Sequence, residues 1–199
     1  QVRYADGDSP AAFEAVMTER TRLLYVETIG NPKLDVPDIK ALAELAHAHE
    51  VPLFVDNTVT TPYLCQPLAL GADVVIHSTS KSLNGNGNSI GGVVVSGRNF
   101  RWDPVRFPKF QDYRFGPMSF LVRMRMVTDY GGCMAPMNAY LTGIGLDTLA
   151  LAWTASHRRR SSSQSILLHV ALLSIIRGLP RALIMRWPKS NSAIATVRC

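Results

Sequence analysis

Short apolar runs alternate with a helical pattern in the first half of the chain, and this alternation limits the fold more than any other feature. The runs cover residues 23–27, 51–55, 72–76 and 91–95. Between the first two, apolar residues recur at the i, i+3, i+4 and i+7 spacing of one helix face. These are Ile39, Leu42, Ala43 and Ala46. Strands that alternate with helices predict an α/β fold with a mostly parallel sheet and flanking helices.

Turn-forming residues predict where these elements begin and end. The sequence Gly30-Asn31-Pro32 predicts a loop after the first strand, and Asp35 and Pro37 predict the start of the helix. A loop is predicted through Thr61-Pro62-Tyr63, and a short helix or turn over residues 67–71.

Directly after the third apolar run comes the sequence His77-Ser78-Thr79-Ser80-Lys81, which ends in a lysine. A lysine amine can form an imine with a carbonyl cofactor, and neighbouring hydroxyls can bind a phosphate. Asp56 follows the second run and places a carboxylate at a strand end. Ligands of open α/β sheets bind at the carboxyl ends of the strands. The pattern therefore predicts a site for a phosphorylated carbonyl cofactor.

Length and composition indicate one globular domain, because the chain has 199 residues and 47% hydrophobic content. Its longest apolar run, residues 166–176, is shorter than the ~20 residues that cross a membrane, so no membrane association is predicted. The chain begins at Gln1 without a secretory signal pattern, and we expect its natural start to lie upstream. Three widely separated cysteines, Cys65, Cys133 and Cys199, favour a reduced cytoplasm.

The net charge of +6 comes from the C-terminal part of the chain. Residues 148–199 contain eight Lys/Arg and no Asp/Glu, whereas residues 1–147 have a net charge of −2. The basic balance is therefore a property of the tail and not of the predicted domain.

Several ordered motifs resemble the Cys/Met-metabolism family of pyridoxal-phosphate enzymes. They are Val-Glu-Thr-Ile-Gly-Asn-Pro-Lys-Leu-Asp-Val at 26–36, Val-Asp-Asn-Thr at 55–58, Thr-Pro-Tyr-Leu at 61–64, and Gly71-Ala72-Asp73 through Ser78-Thr79-Ser80-Lys81. The resemblance extends from about Val2 to Leu151. Within the family the motifs are most similar to O-acetylhomoserine sulfhydrylases, with cystathionine synthases, cystathionine lyases and methionine γ-lyase as close relatives.

The resemblance implies a fold and a role for each matching residue. Residues 1–145 would be part of the large domain of a fold-type I transferase. Lys81 would hold pyridoxal 5'-phosphate and transfer protons, and Asp56 would pair with the pyridine nitrogen. Ser78 and Ser80 would bind the phosphate, and Asn31 would contact the ring hydroxyl. No metal is implied.

The same residues have simpler interpretations that the sequence leaves open. Asp56 could cap a turn in Asp-Asn-Thr, Asn31 could be an ordinary turn residue before proline, and Ser78 and Ser80 could be ordinary polar residues. Asn86 stands where the family usually has histidine. The glycines at 85, 87 and 91 do not have the dinucleotide-binding spacing, and His47 and His49 do not share a helix face as a metal pair would.

Residues 146–199 are predicted to begin a connecting helix and to continue as an atypical basic tail. The family continues with Arg-Met-Glu/Asp-Arg where this chain has Ala152-Trp153-Thr154. Tryptophan has the single codon TGG, so Ala-Trp-Thr can be encoded as GCA-TGG-ACC. Read one base earlier, from a preceding C, the same bases give CGC-ATG-GAC, which encodes Arg-Met-Asp. We therefore interpret the tail as the product of a shifted reading frame. The alternative is a genuine tail that binds RNA or an acidic partner through residues 158–160.

The resemblance implies γ-replacement on O-acetylhomoserine or O-succinylhomoserine, an amino-acid substrate, with sulfide or a thiol. The products would be homocysteine or methionine, and the intact protein would be a homo-oligomer, a dimer of dimers. γ-Elimination, as in methionine γ-lyase, and cystathionine γ-synthase or lyase activity stay open. So does a non-catalytic remnant, because the family takes further site residues from segments that this sequence does not contain.

Overall fold

The computed structural model describes residues 2–98, 100–108 and 122–159 of the chain. Its helices are α1 (Pro10–Val16), α2 (Ile39–Ala48), α3 (Thr61–Leu64) and α4 (Pro136–Arg159). Its strands are β1 (Leu24–Glu27), β2 (Leu53–Asp56), β3 (Val74–Ser78) and β4 (Gly92–Ser96). A 3₁₀-helix covers Pro67–Leu70, and π-helical turns cover Thr79–Leu83 and Val122–Asp129.

The four strands form one sheet in the order β1-β2-β3-β4. The first three run parallel, and β4 pairs antiparallel with β3. The predicted mostly parallel α/β sheet is therefore confirmed. Since parallel neighbours end at the same edge, β1, β2 and β3 present their last residues together.

Helix α2 contributes much of the hydrophobic core. Its four periodic residues Ile39, Leu42, Ala43 and Ala46 are all buried, as their spacing predicts. They join the buried strand residues Leu24, Leu53, Val55 and Val75. Burial of this apolar surface stabilises the packing of α2 on the sheet.

Two predicted boundaries are wrong. Helix α2 begins at Ile39, with the Asp38 carboxylate accepting from the Ala41 N–H at 3.0 Å, and not at Asp35 and Pro37. The reason is a preceding turn, in which the Gly30 N–H donates to the Asp35 carbonyl at 2.9 Å. The predicted loop through Thr61-Pro62-Tyr63 is the single-turn helix α3, because a proline fits the first turn of a helix.

The two faces of the sheet have different surroundings. One face has the buried residues Leu24, Leu53, Val55, Val75 and His77. The alternate residues point to the other face, which is more open: Tyr25 is 47% exposed, and Asp56 and Ser78 are half-buried. Polar groups of the second face are therefore accessible to a ligand.

The C-terminal helix α4 lies against the end of the π-helical turn Thr79–Leu83. Gly145 of α4 meets the backbone of Asn84 so closely that a Cβ there would overlap it. The Ser89 hydroxyl lies 3.4 Å from that of Thr142, and the Asn138 Nδ2 donates to the Ile90 carbonyl at 2.9 Å. Helix α4 thus fixes the loop that follows Lys81.

Other expectations meet the structure only in part. Helix α4 continues past Leu151 to Arg159, and the tail from residue 160 lies outside the described residues. Cys65 is buried and Cys133 is exposed, whereas Cys199 also lies outside them. Within the described part of the chain, no helix is both long enough and apolar enough to cross a membrane.

Candidate active site

The predicted site residues lie at the carboxyl edge of the parallel strands. Glu27 of β1 is opposite Asp56 of β2, and Asp56 is opposite Ile76 of β3. Ser78 is two residues beyond Ile76, so its side chain is on the same sheet face as that of Asp56. Lys81 follows three residues later and is exposed. Its non-helical backbone, at φ −103 and ψ −127, interrupts the helical turn.

Asp56 is held by a hydrogen bond to each of its carboxylate oxygens. The Thr58 N–H donates to Oδ1 at 2.9 Å, and the Tyr25 Oη donates to Oδ2 at 3.2 Å. The first bond is the turn contact that the Asp-Asn-Thr sequence suggested. Since each oxygen has two lone pairs, both can accept a further donor from the open side. The turn contact and a ligand-binding role are therefore compatible.

A buried polar network fixes the backbone next to Asp56. Asn57 is fully buried, its Nδ2 donates to the Cys65 carbonyl at 2.8 Å, and its Oδ1 accepts from the Thr60 hydroxyl. The His77 Nδ1 lies 3.1 Å from the Asn57 carbonyl oxygen, which can only accept, so Nδ1 carries a proton. Burial lowers the pKa of His77 and favours the neutral ring.

The two serines have different hydrogen-bond environments. The Ser78 hydroxyl is half-buried, and no group in the described part of the chain hydrogen-bonds to it. The Ser80 hydroxyl donates to the Gly91 carbonyl at 3.3 Å and accepts from the Gly91 N–H at 3.0 Å. Ser78 can therefore donate to an anion directly. The Ser80 hydroxyl would first have to rotate and give up its long bond to the Gly91 carbonyl.

Asn31 lies beside this edge, in the loop after β1. Its side chain is exposed, and its backbone N–H donates to Glu27 Oε2 at 3.0 Å. It lines a cleft of about 320 Å³ together with Tyr25, Glu27 and the N-terminal residues Gly7 and Asp8. Tyr25, which lines this cleft, also contacts the Asp56 carboxylate.

Sequence reasoning missed Tyr25 and Thr58. The Thr58 Oγ1 accepts from the Ser78 N–H at 2.8 Å and so connects the ends of β2 and β3. The period-two pattern of β1 could have placed Tyr25 on the same face as Glu27. Its contact with Asp56 depends on the strand register, which the sequence does not specify.

These side chains suit a phosphorylated pyridine aldehyde. Lys81 supplies an accessible amine, Asp56 a fixed carboxylate with spare lone pairs, and Ser78 a hydroxyl that has no partner among the described residues. An amine, a carboxylate and a hydroxyl are the groups that would bind the aldehyde, the ring nitrogen and the phosphate. The residues present therefore fit such a cofactor.

The curated proteins to which this chain is similar are longer than the chain itself. The chain is 38% identical over 167 residues to the homocysteine/cysteine synthase of Saccharomyces cerevisiae, which covers 76% of this chain. It spans only 38% of that relative's own length.

Solved structures with the same fold are also similar. One from Campylobacter jejuni, described as an O-acetylhomoserine (thiol)-lyase with N'-pyridoxyl-lysine-5'-monophosphate, has a TM-score of 0.66 and 30% identity. The alignment covers 71% of this chain and 39% of the C. jejuni chain. A cystathionine γ-lyase from Lactobacillus plantarum, complexed with L-serine, has a TM-score of 0.57 and 37% identity, over 71% of this chain and 32% of that one.

The model of one protein family matches residues 1–166, which include the whole sheet, Lys81 and α4. Its description is Cys/Met metabolism PLP-dependent enzyme. With the strand-end arrangement of Asp56, Ser78 and Lys81, this match shows that the chain belongs to the family of Cys/Met metabolism PLP-dependent enzymes.

Proposed function

We propose that this chain forms part of a pyridoxal-phosphate-dependent transferase that replaces the γ-substituent of O-acetylhomoserine or O-succinylhomoserine with sulfide or a thiol. The products are homocysteine or methionine. The observation that supports this most is the shared carboxyl edge of Asp56, Ser78 and Lys81. The names of the S. cerevisiae and C. jejuni relatives favour the substrate class.

Each residue has a role that its surroundings permit. When bound, pyridoxal phosphate supplies an aldehyde that captures an amine and a ring that withdraws electrons from the neighbouring carbons. Lys81 attaches the cofactor and later moves protons at Cα and Cβ of the substrate. Asp56 holds a proton at the pyridine nitrogen. Ser78, with Ser80 after its hydroxyl turns, donates to the phosphate, and Asn31 contacts the ring hydroxyl.

The intact protein is proposed to act in the cytoplasm as a homo-oligomer, with part of each site supplied by sequence beyond this chain. The proposal of further site residues is consistent with the length of the S. cerevisiae relative, of which this chain spans 38%. For the chain by itself, the second candidate is therefore a non-catalytic remnant. A lyase that eliminates the γ-substituent is the third, favoured by the similarity to the L. plantarum enzyme.

Covalent trapping tests the site. The purified chain is incubated with pyridoxal phosphate and reduced with borohydride, and the modified peptide is located by mass spectrometry. We expect one adduct at Lys81, none in Lys81→Ala, and an unchanged adduct in Lys40→Ala, a matched control on α2. Labelling spread over surface lysines, with Lys81 no more modified than Lys40, would contradict the proposal.

Product analysis tests the reaction. O-Acetylhomoserine and sulfide are supplied to the loaded chain, and homocysteine is measured as a new thiol on the four-carbon amino acid. Formation of ammonia and a keto acid without sulfide incorporation would instead indicate γ-elimination. A Lys81 adduct with no product of either kind would identify the chain as a cofactor-binding remnant.

A further inference from the structure

We infer that Tyr25 is a positioning residue that holds the Asp56 carboxylate in the orientation required by the cofactor ring. The inference rests on the proposed function and adds to it a residue outside the family motifs quoted above. Its basis is the hydrogen bond from the Tyr25 Oη to Asp56 Oδ2 at 3.2 Å.

The strand register makes this contact possible. Tyr25 is opposite Phe54, and Glu27 is opposite Asp56, so the three polar side chains are on one face of the β1-β2 pair. Tyr25 and Asp56 are diagonal neighbours, at a separation that a long aromatic side chain can span.

The Tyr25 bond complements the one from Thr58. With the Thr58 N–H on Oδ1 and the Tyr25 hydroxyl on Oδ2, the carboxylate is held at both oxygens and its rotation is restricted. Without Tyr25, the bond within its own turn is the one side-chain contact that Asp56 keeps among the described residues. A carboxylate that must meet a ring nitrogen benefits from the second bond, because less freedom is lost on binding.

Tyr25 stays protonated under all physiological conditions. Partial burial, followed by the charge and hydrogen bond of Asp56 and the charge of Glu27, raises the pKa of Tyr25 to about 12. The phenol is therefore a permanent donor to the carboxylate and does not compete with Lys81 as a base.

The position of Tyr25 argues against a purely structural role. The side chain is 47% exposed, and the hydrophobic core consists of other residues. It lines the same cleft as Asn31, and its hydroxyl contacts Asp56, so it is close to two residues proposed to contact the ring. Removing the hydroxyl should therefore change ligand binding more than folding.

The experiment measures pyridoxal phosphate affinity by absorbance titration of the full chain. Tyr25→Phe should raise the Kd about tenfold, which corresponds to the loss of one hydrogen bond to a charged group. Tyr140→Phe, on an exposed position of α4, is the matched control and should leave Kd unchanged. In an Asp56→Asn background, Tyr25→Phe should add nothing, because its effect passes through Asp56.

A second readout does not involve the cofactor. Phenolate absorbance is followed against pH, and the curve of Tyr25→Phe is subtracted from that of the wild type. The difference should show the ionisation of Tyr25 near pH 12. Asp56→Asn should shift this ionisation toward the ordinary pKa of 10. An ionisation unaffected by Asp56→Asn would overturn the contact, and an unchanged Kd in Tyr25→Phe would overturn the positioning role. Absence of cofactor binding by the wild-type chain would overturn the proposed function and this inference with it.

Discussion

Two aspartates occupy opposite ends of neighbouring strands, and their surroundings differ. Asp56 ends β2 at the carboxyl edge, is half-buried, and accepts from Tyr25 and Thr58. Asp73 immediately precedes β3 at the opposite edge, and its side chain is only 1% exposed. Its Oδ2 accepts from the Leu53 N–H at 2.8 Å and lies 2.9 Å from the His47 Nε2, whereas its buried Oδ1 has no partner among the described groups.

The difference separates a carboxylate that can bind a ligand from one that stabilises the fold. Asp73 is enclosed by protein and connects α2, β2 and β3, so its removal leaves the buried Leu53 N–H without its acceptor. Asp56 faces the open side with unused lone pairs, so its removal affects binding more than folding. Two of the measurements below test this distinction directly, and two test the packing around the site.

The largest expected effect is on stability when Asp73 is removed. Asp73→Ala should lower the free energy of unfolding by about 3 kcal/mol, because the buried Leu53 N–H loses its acceptor and His47 loses its partner. Asp56→Ala should lower it by about 1 kcal/mol, since only hydrogen bonds of a half-buried group are lost. Urea unfolding followed by circular dichroism measures both. Equal losses for the two variants would contradict the distinction.

The next effect concerns the helix that contacts the Lys81 loop. Gly145→Ala should cost about 2 kcal/mol by urea unfolding, because the new Cβ overlaps the Asn84 backbone and forces α4 away. Gly143→Ala, in the same helix with open space around it, is the control and should stabilise by up to ~1 kcal/mol. Borohydride trapping at Lys81 should weaken in the first variant only. A tolerated Gly145→Ala would show that α4 does not fix the loop.

A third measurement uses pH at the buried His77. Because burial lowers its folded pKa below the ordinary value of 6.5, the unfolded chain binds more protons as pH falls. The stabilisation is present above about pH 6.5 and is lost as pH falls through the lowered folded pKa. His77→Asn keeps a donor for the Asn57 carbonyl and should flatten this part of the unfolding profile. An unchanged slope would mean that another group titrates.

The smallest effect compares two histidines at the end of α2. His47 pairs with buried Asp73, whereas His49 lies 3.5 Å from Glu14 with both side chains exposed. His47→Ala should cost about 1 kcal/mol and His49→Ala less than about 0.5 kcal/mol, because exposed ion pairs contribute little. Thermal unfolding of both variants in low and high salt checks this. A larger loss in His49→Ala would reverse the assignment.

Local patterns were sufficient for some of these features. The period of Ile39, Leu42, Ala43 and Ala46 predicted the buried face of α2, and the apolar runs predicted β1, β2 and β3. Because Asp56 and Ser78 follow or end apolar runs, they were also expected at the carboxyl edge of the sheet, where both lie. These predictions needed only neighbours in sequence.

Contacts between distant segments were not predictable in this way. Tyr25 and Asp56 are 31 residues apart, and Ser80 and Gly91 are 11 apart, so each pairing follows from tertiary packing and not from propensity. The contact of Gly145 with Asn84 depends on where α4 docks. Asp73 lies in a motif of the family, but no role was predicted for its carboxylate, because its partners His47 and Leu53 come from α2 and β2.

The strand register has a consequence for interpreting variants. Leu24, Leu53 and Val55 face the core, and Tyr25 and Asp56, one residue away, face the open side. A slip of one residue between strands would exchange the two sets, moving site residues inward and core residues outward. Core packing and site geometry are thus encoded by the same pairing. A core substitution that abolishes cofactor binding is therefore informative about the site only when the strand alignment is shown to be intact.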